Sequence, residues 1–213
     1  MSEIQHLINV GEDAFARLLL TNHAVDKAYA YADAAHSADD QRRKWTQRPY
    51  IEHPRMVAGV LLTTTVYIPA VQAALLHDVV EDTYCTEEDL LRHFSGEVVD
   101  LVMELTEPDD PAFWQGLGYE GRPNRAVRRG IECDRRSKLS DLAQTISCAD
   151  VIANSQDILD HAVLTKHDHD FALMYQRELL DRLNAMKRAD PMLRHAARQL
   201  VNGNIAELVK ETA

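Results

Sequence analysis

Apolar residues recur at three- and four-residue spacing along most of the chain, and runs that alternate with period two are scarce, so the pattern predicts helix almost throughout. A first helix is expected over about residues 11–20, and Asn22 then caps a second that runs to about residue 35. The polar, charge-rich stretch 37–50 interrupts the pattern and reads as a loop. His53-Pro54 opens the next helix, with proline in the first turn where its missing N–H costs nothing, and Met56, Val57, Val60 and Leu61 face a core. One helix is expected over about residues 69–81. Thr86-Glu-Glu-Asp89 has the form of an N-terminal cap for a short helix ending near Phe94, and Gly96 separates that helix from another over 97–105. Pro108, Pro111, Gly116, Gly118, Gly121 and Pro123 make 106–123 the one long irregular segment, of the kind that is usually functional or mobile. Helices follow over about 124–135, 139–159, 168–188 and 192–210. With no repeat and no linker, the pattern implies an all-α, bundle-like single domain over residues 1–213. Its core is expected over about 29–160, with the C-terminal helices 168–210 packed on it.

Composition narrows the picture. At 213 residues the chain can bury a sizeable core. No apolar run approaches the roughly 18–20 residues of a membrane span, and Glu3, Glu12 and Asp13 interrupt any signal-like stretch, so a soluble, cytoplasmic protein without membrane partners is expected. Cys85, Cys133 and Cys148 show no ligand spacing and read as reduced, packed thiols. A net charge of −11 argues against nucleic acid as a partner. The cations are nevertheless clustered. Arg42, Arg43, Lys44, Arg48 and Arg55 fall in one segment, and Arg122, Arg125, Arg128, Arg129, Arg135, Arg136 and Lys138 in another. Such clusters could focus on a small polyanion, or simply balance nearby acids on solvated helix faces.

The chemistry concentrates in Leu75-Leu-His-Asp-Val-Val-Glu-Asp-Thr83, where His77 and Asp78 end an apolar run and Glu81 and Asp82 follow. Residues four apart share a helix face, so Glu81 is expected over His77 and Asp82 over Asp78. A solvated surface helix could carry the same residues, but the run from Ile68 to Leu76 reads as buried, and buried carboxylates are costly without a cation. The segment therefore reads as a metal site with a catalytic apparatus attached.

His-Asp followed by Glu-Asp resembles the signature of HD-domain phosphohydrolases, and Ala74–Thr83 is similar to the hydrolase domain of RelA/SpoT-type alarmone enzymes. Two further strings extend the resemblance over about residues 29–157, namely Pro49-Tyr-Ile-Glu-His-Pro54 and Cys148-Ala-Asp-Val-Ile-Ala-Asn154. The resemblance implies a single HD-domain helical bundle with His53, His77, Asp78 and Asp150 as metal ligands, Glu81 and Asp82 as catalytic residues, and Arg43, Lys44 and Asn154 as substrate contacts, Arg42 being a close third basic candidate. Mixed nitrogen and oxygen ligation without thiolate suits Mn²⁺ or Fe²⁺, with Zn²⁺ compatible, and the resemblance favours Mn²⁺.

The implied activity is that of a small, stand-alone alarmone hydrolase, which removes the 3′-pyrophosphate of (p)ppGpp to give GDP or GTP and pyrophosphate. Its partner is a small-molecule nucleotide, and self-association is left open. The alternatives are an HD phosphohydrolase of another nucleotide, such as a ppApp-type alarmone or a 2′- or 3′-phosphorylated adenine nucleotide, and a non-catalytic nucleotide-binding protein. Many relatives carry Lys three positions before the aspartate where this chain has Ser147, so Arg125, Arg128 or Arg129 is expected to supply the missing cation. His167-Asp-His-Asp170 reads as a helix start rather than a ligand run, and His36 as a residue near the site without a ligating role. His23, His93, His161 and His195 read as surface or packed core histidines.

Overall fold

The structure is a computed structural model and describes residues 3–44, 46–161 and 166–210. The described residues contain twelve helices and no strand. In chain order these are α1 (Glu3–Thr21), α2 (His23–Ala38), α3 (Glu52–Leu62), α4 (Ile68–Leu76), α5 (Val79–Asp82), α6 (Glu87–Leu91), α7 (Gly96–Leu105), α8 (Pro111–Gly116), α9 (Arg125–Lys138), α10 (Asp141–His161), α11 (Lys166–Ala185) and α12 (Pro191–Lys210). The all-α expectation is met. No helix among the described residues is long and apolar enough to cross a membrane.

One buried apolar cluster runs from Ile4 to Val201, with α3, α4 and α10 at its centre. Every residue of α4 from Ala70 to Leu76 except Gln72 is fully enclosed. Gln72 instead donates to the Ala24 carbonyl at 2.9 Å, which fixes α2 against α4. The caps lie where the sequence placed them. The Asn22 side chain accepts from the Ala24 and Val25 N–H groups, and Thr86 and Asp89 form a reciprocal capping box.

Three element boundaries differ from expectation. The first helix begins at Glu3 rather than near residue 11, because Gly11 marks a crossing and not a start. A Cβ on Gly11 would overlap the Gly59 carbonyl, and one on Gly59 would sit 3.1 Å from the Gly11 carbonyl oxygen, so α1 and α3 meet backbone to backbone. The single helix expected over 69–81 is divided into α4 and α5. Asp78 takes φ −97° and ψ −5°, a bridge conformation that ends regular helix while keeping the chain turning. Lastly, the irregular segment 106–123 contains α8, capped by Asp110 and pinned by the buried indole of Trp114, whose N–H donates to Asp109 at 2.8 Å.

Between α2 and α3 the chain folds back on itself. Arg42 bridges Pro49, the Arg43 N–H donates to the Arg48 carbonyl at 3.0 Å, and Gln47 takes a positive φ of 57° at the tip. At the far end His169 donates through Nε2 to the Leu208 carbonyl at 2.7 Å, tying α11 to α12. The side chains of His161 and His167 lie outside the described residues.

Candidate active site

Four side chains from three parts of the chain converge. His53 comes from the first turn of α3, where its ring is almost wholly enclosed. His77 and Asp78 come from the turn between α4 and α5, and Asp150 from the middle of α10. His53 Nε2 lies 3.1 Å from Asp150 Oδ1 and 3.5 Å from Asp78 Oδ2. His77 Nε2 lies 3.1 Å from Asp78 Oδ1 and 3.8 Å from Asp150 Oδ1. One ligand atom each from His53, His77 and Asp150 falls within 4.8 Å of the others. The break after α4 is what brings the adjacent His77 and Asp78 to a single point, since neighbours on a regular helix project about 100° apart.

The tautomer of His77 follows from its second contact. Nδ1 donates to the Ala74 carbonyl at 2.9 Å, which leaves Nε2 facing the carboxylates, buried and without a hydrogen-bond partner of good geometry. The carboxylates are themselves oriented. Tyr50 Oη donates to Asp78 Oδ2 at 2.7 Å, and Asn154 Nδ2 donates to Asp150 Oδ1 at 2.6 Å. Burial would raise both carboxyl pKa values, but His77 beside Asp78, and His53 and His77 beside Asp150, bring them below the usual range. For His77 burial opposes the charge, and Asp78 and Asp150 outweigh it and raise its pKa well above the ordinary imidazole value. Burial and the Arg43 guanidinium lower that of His53. Two enclosed carboxylates that demand positive charge, facing an imidazole that can exchange its proton for a metal ion, form a donor set suited to a divalent cation.

Glu81 and Asp82 line the same cavity of about 290 Å³. Glu81 touches solvent at the cavity mouth, yet the surrounding protein and then Asp78 raise its pKa to about 7, partly offset by the Glu107 N–H, which donates to Oε2 at 3.0 Å. Asp82 Oδ2 accepts from Gln41 Nε2 at 3.0 Å, and Gln41 Oε1 lies 2.7 Å from His36 Nδ1. His36 is buried, its ring 4.5 Å from that of Tyr50, so it sits behind the site and holds no ligand position.

The residues read as substrate contacts border the quartet. Arg43 pairs with Asp157 at 2.9 Å, donates to Asn154 Oδ1 at 3.1 Å and lies over the Tyr50 ring. Lys44 Nζ sits 3.9 Å from the centre of the Phe171 ring, in an adjoining cavity of about 230 Å³ that shares Arg43, Tyr50, Asn154 and Tyr175 with the first. The cation expected to stand in for the lysine absent at Ser147 is not among Arg125, Arg128 and Arg129. Arg125 and Arg129 pair with Glu178, and Arg128 donates to the Pro123 carbonyl. Instead Arg136 Nη1 donates to Ser147 Oγ at 2.8 Å, and Arg182 lines the same cavity.

Sequence reasoning passed over Tyr50, Gln41, Glu107, Tyr175 and Arg182, and named Arg136 only as one of a cluster of cations. Tyr50 stood inside a quoted string and Gln41 directly before the basic run, so both were within reach. Tyr175 and Arg182 sit on an ordinary amphipathic helix that carries no local signal.

Residues 28–161 match the family model described as HD domain. Among curated proteins, the chain is 37% identical over 119 residues to guanosine-3′,5′-bis(diphosphate) 3′-pyrophosphohydrolase MESH1 of Xenopus tropicalis, covering 53% of this chain and 62% of that one. It is 34% identical over 128 residues to the protein of the same name from Homo sapiens, covering 59% and 65%. It is also 40% identical over 90 residues to the guanosine-3′,5′-bis(diphosphate) 3′-pyrophosphohydrolase of Vibrio cholerae serotype O1, covering 42% and 12%. The chain thus spans less than two thirds of the length of these relatives. A solved structure, described as a metazoan ortholog of SpoT that hydrolyzes ppGpp, superposes with a TM-score of 0.70 over 85% of this chain and 96% of that one, at 24% identity, which is a likeness of fold.

Proposed function

The chain belongs to the HD-domain family, and from that premise we propose that it is a metal-dependent phosphohydrolase which removes the 3′-pyrophosphate of (p)ppGpp, leaving GDP or GTP and pyrophosphate. The observation that carries this reading is the shared cavity in which the carboxyls of Glu81 and Asp82 border the quartet of His53, His77, Asp78 and Asp150. A pure binding protein has no need of that carboxylate pair.

The quartet would hold the metal, and the buried Nε2 of His77, which faces two carboxylates without a hydrogen-bond partner of good geometry, supports the fit. We favour Mn²⁺ for a nitrogen and oxygen site without thiolate, with Fe²⁺ and Zn²⁺ as the alternatives. When bound, such a cation supplies Lewis acidity to a phosphoryl oxygen and to water.

The chain's own groups supply the rest. The proposed reaction breaks the bond between the ribose 3′-oxygen and its phosphorus. Water adds to phosphorus and loses a proton, and the 3′-oxygen leaves and gains one. With its pKa near 7, Glu81 can take and return that proton at Oε1 or Oε2 close to neutral pH. Asp82, fixed by Gln41, orients the attacking water. Arg43 and Asn154 position the nucleoside, and the cavity between Lys44 and the rings of Phe171 and Tyr175 accommodates the base by stacking and cation–π contact. We place the protein in the cytoplasm, a reading supported by the free thiols of Cys85, Cys133 and Cys148.

The test is to incubate the purified protein with Mn²⁺ and, separately, ppGpp, ppApp, NADPH and nucleoside monophosphates, and to identify the products. Pyrophosphate and GDP from ppGpp are expected. Failure to release pyrophosphate from ppGpp would overturn the reading, and turnover of another nucleotide would name its replacement.

A further inference from the structure

Arg182 is the unexplained residue of the cavity. It reaches in from α11, its Nε is buried without a hydrogen-bond partner, and among the described residues its guanidinium makes neither an ion pair nor a hydrogen bond. The carboxylates that act on it, Asp150, Glu132 and Glu107, do so from a distance. Glu132 is already engaged by Arg135 and Arg136. Buried polar groups in folded proteins are nearly always paired, and a guanidinium offers five donors in a fixed fork. An enclosed arginine that faces a cavity with its donors unused is therefore set to receive an anion.

A second guanidinium lines the same cavity. Arg136 arrives from α9, which packs on α11, and lies against Ser147 in the lining of the same cavity. Ser147 is almost wholly buried, and its small side chain leaves the space that Arg136 fills while donating to Oγ. The cavity is thus lined by the guanidinium groups of Arg136 and Arg182 as well as by the carboxylate and imidazole quartet. A ligand that satisfies both sets of residues has two adjacent anionic centres, one at the quartet and one at the arginines.

We propose that Arg182, backed by Arg136, is the subsite for the distal phosphoryl group of a pyrophosphate ester, while the phosphoryl group bonded to the ribose sits at the quartet. The assignment rests on the reading of the substrate as a 3′-pyrophosphorylated nucleotide and adds how such a substrate is told from its 3′-monophosphate. The free fork of Arg182 matches phosphate geometry, Arg136 adds positive charge while held by Glu132 and Ser147, and a lysine at position 147 would compete with Arg136 for the same space.

The experiment uses the Mn²⁺-loaded Glu81→Ala/Asp82→Ala protein, in which slow turnover permits direct calorimetric binding of guanosine 5′-diphosphate carrying either a 3′-diphosphate or a 3′-monophosphate. The 3′-diphosphate is expected to bind roughly ten- to a hundredfold more tightly, the range of a charge-assisted contact. Adding Arg182→Met should erase that preference, and adding Arg182→Lys should leave an intermediate one, so the lysine variant decides the matter if the methionine variant does not fold. Retention of the full preference in either variant would overturn the subsite alone. Binding of neither nucleotide by the Glu81→Ala/Asp82→Ala protein would overturn the proposed substrate and the subsite with it. Melting of the nucleotide-free, Mn²⁺-loaded proteins gives a second readout. Arg182→Met is expected to melt at or above the temperature of the protein that retains Arg182, because an unpaired buried charge is removed, and a clear fall would make Arg182 a structural residue instead.

Discussion

Glu81 and Asp82 follow Asp78 by about one helical turn of chain, yet their surroundings differ. Asp82 is held by Gln41, whose amide is in turn oriented by His36, whereas Glu81 has only the Glu107 N–H and a pKa near 7. Replacing either by alanine should lower turnover by roughly 10²–10⁴, the range of general acid–base catalysis, while metal content measured by elemental analysis stays unchanged. Wild-type turnover in both variants would reduce the pair to a helix end. Glu81 also makes a pH signature in the metal-free protein. Its carboxyl ordinarily titrates at 4.5 and in the fold at about 7. Between those values the native state keeps a proton that the unfolded chain has released, so stability falls as pH rises, and above about 7 the loss is complete. Denaturant titrations of wild type should therefore lose stability relative to Glu81→Gln across that window and then run parallel to it. Curves parallel throughout would mean that the glutamate titrates normally.

At the scale of elements, the division of α4 from α5 and the crossing of α1 over α3 shape the site. A continuous helix over 69–81 would carry His77 and Asp78 away from each other. The bridge conformation at Asp78 turns both inward, and the His77 bond to Ala74 holds the turn. The crossing sets α3, and with it His53 in its first turn. Because Gly11 and Gly59 meet without intervening side chains, Gly11→Ala must push the helices apart. It should cost about 1–3 kcal/mol by overpacking, read as a lower melting temperature, and metal affinity should weaken with it as His53 shifts. An unchanged melting temperature would show that the crossing yields freely.

For the whole molecule, a cation held by the quartet would tie separate parts of the chain together. The quartet draws on α3, the α4–α5 turn and α10, all of which pack into one apolar cluster. Cation binding to the folded state alone stabilises it by mass action, about 2.7 kcal/mol at a hundredfold excess over Kd. A thermal melt with increasing Mn²⁺ should thus rise steadily, and treatment with a chelator should lower it and flatten the dependence. A melting temperature indifferent to Mn²⁺, Fe²⁺ and Zn²⁺ alike would count against a metal at these residues.

The sequence by itself determined the helical class, the caps at Asn22 and Thr86, and the strings around His53, His77 and Asp150. Helix periodicity, cap chemistry and motifs are written in residues near one another in the chain. It also placed Arg43, Lys44 and Asn154 on the candidate list, since each lies in or beside a string. The start of the first helix was not legible, because Gly11 looks like a terminus until α3 lies against it. Nor was the α4–α5 break, which depends on how the His77-Asp78 turn settles against a buried core. The cationic lining was decided only by tertiary structure. Arg136 and Arg182 are separated in the chain by the whole of α10, and it is the packing of α9 against α11 that brings their guanidinium groups into one cavity with Ser147. Short-range physics fixes which residues can hold a helix or present a ligand, whereas which distant charges share a low-dielectric space is settled when the helices pack.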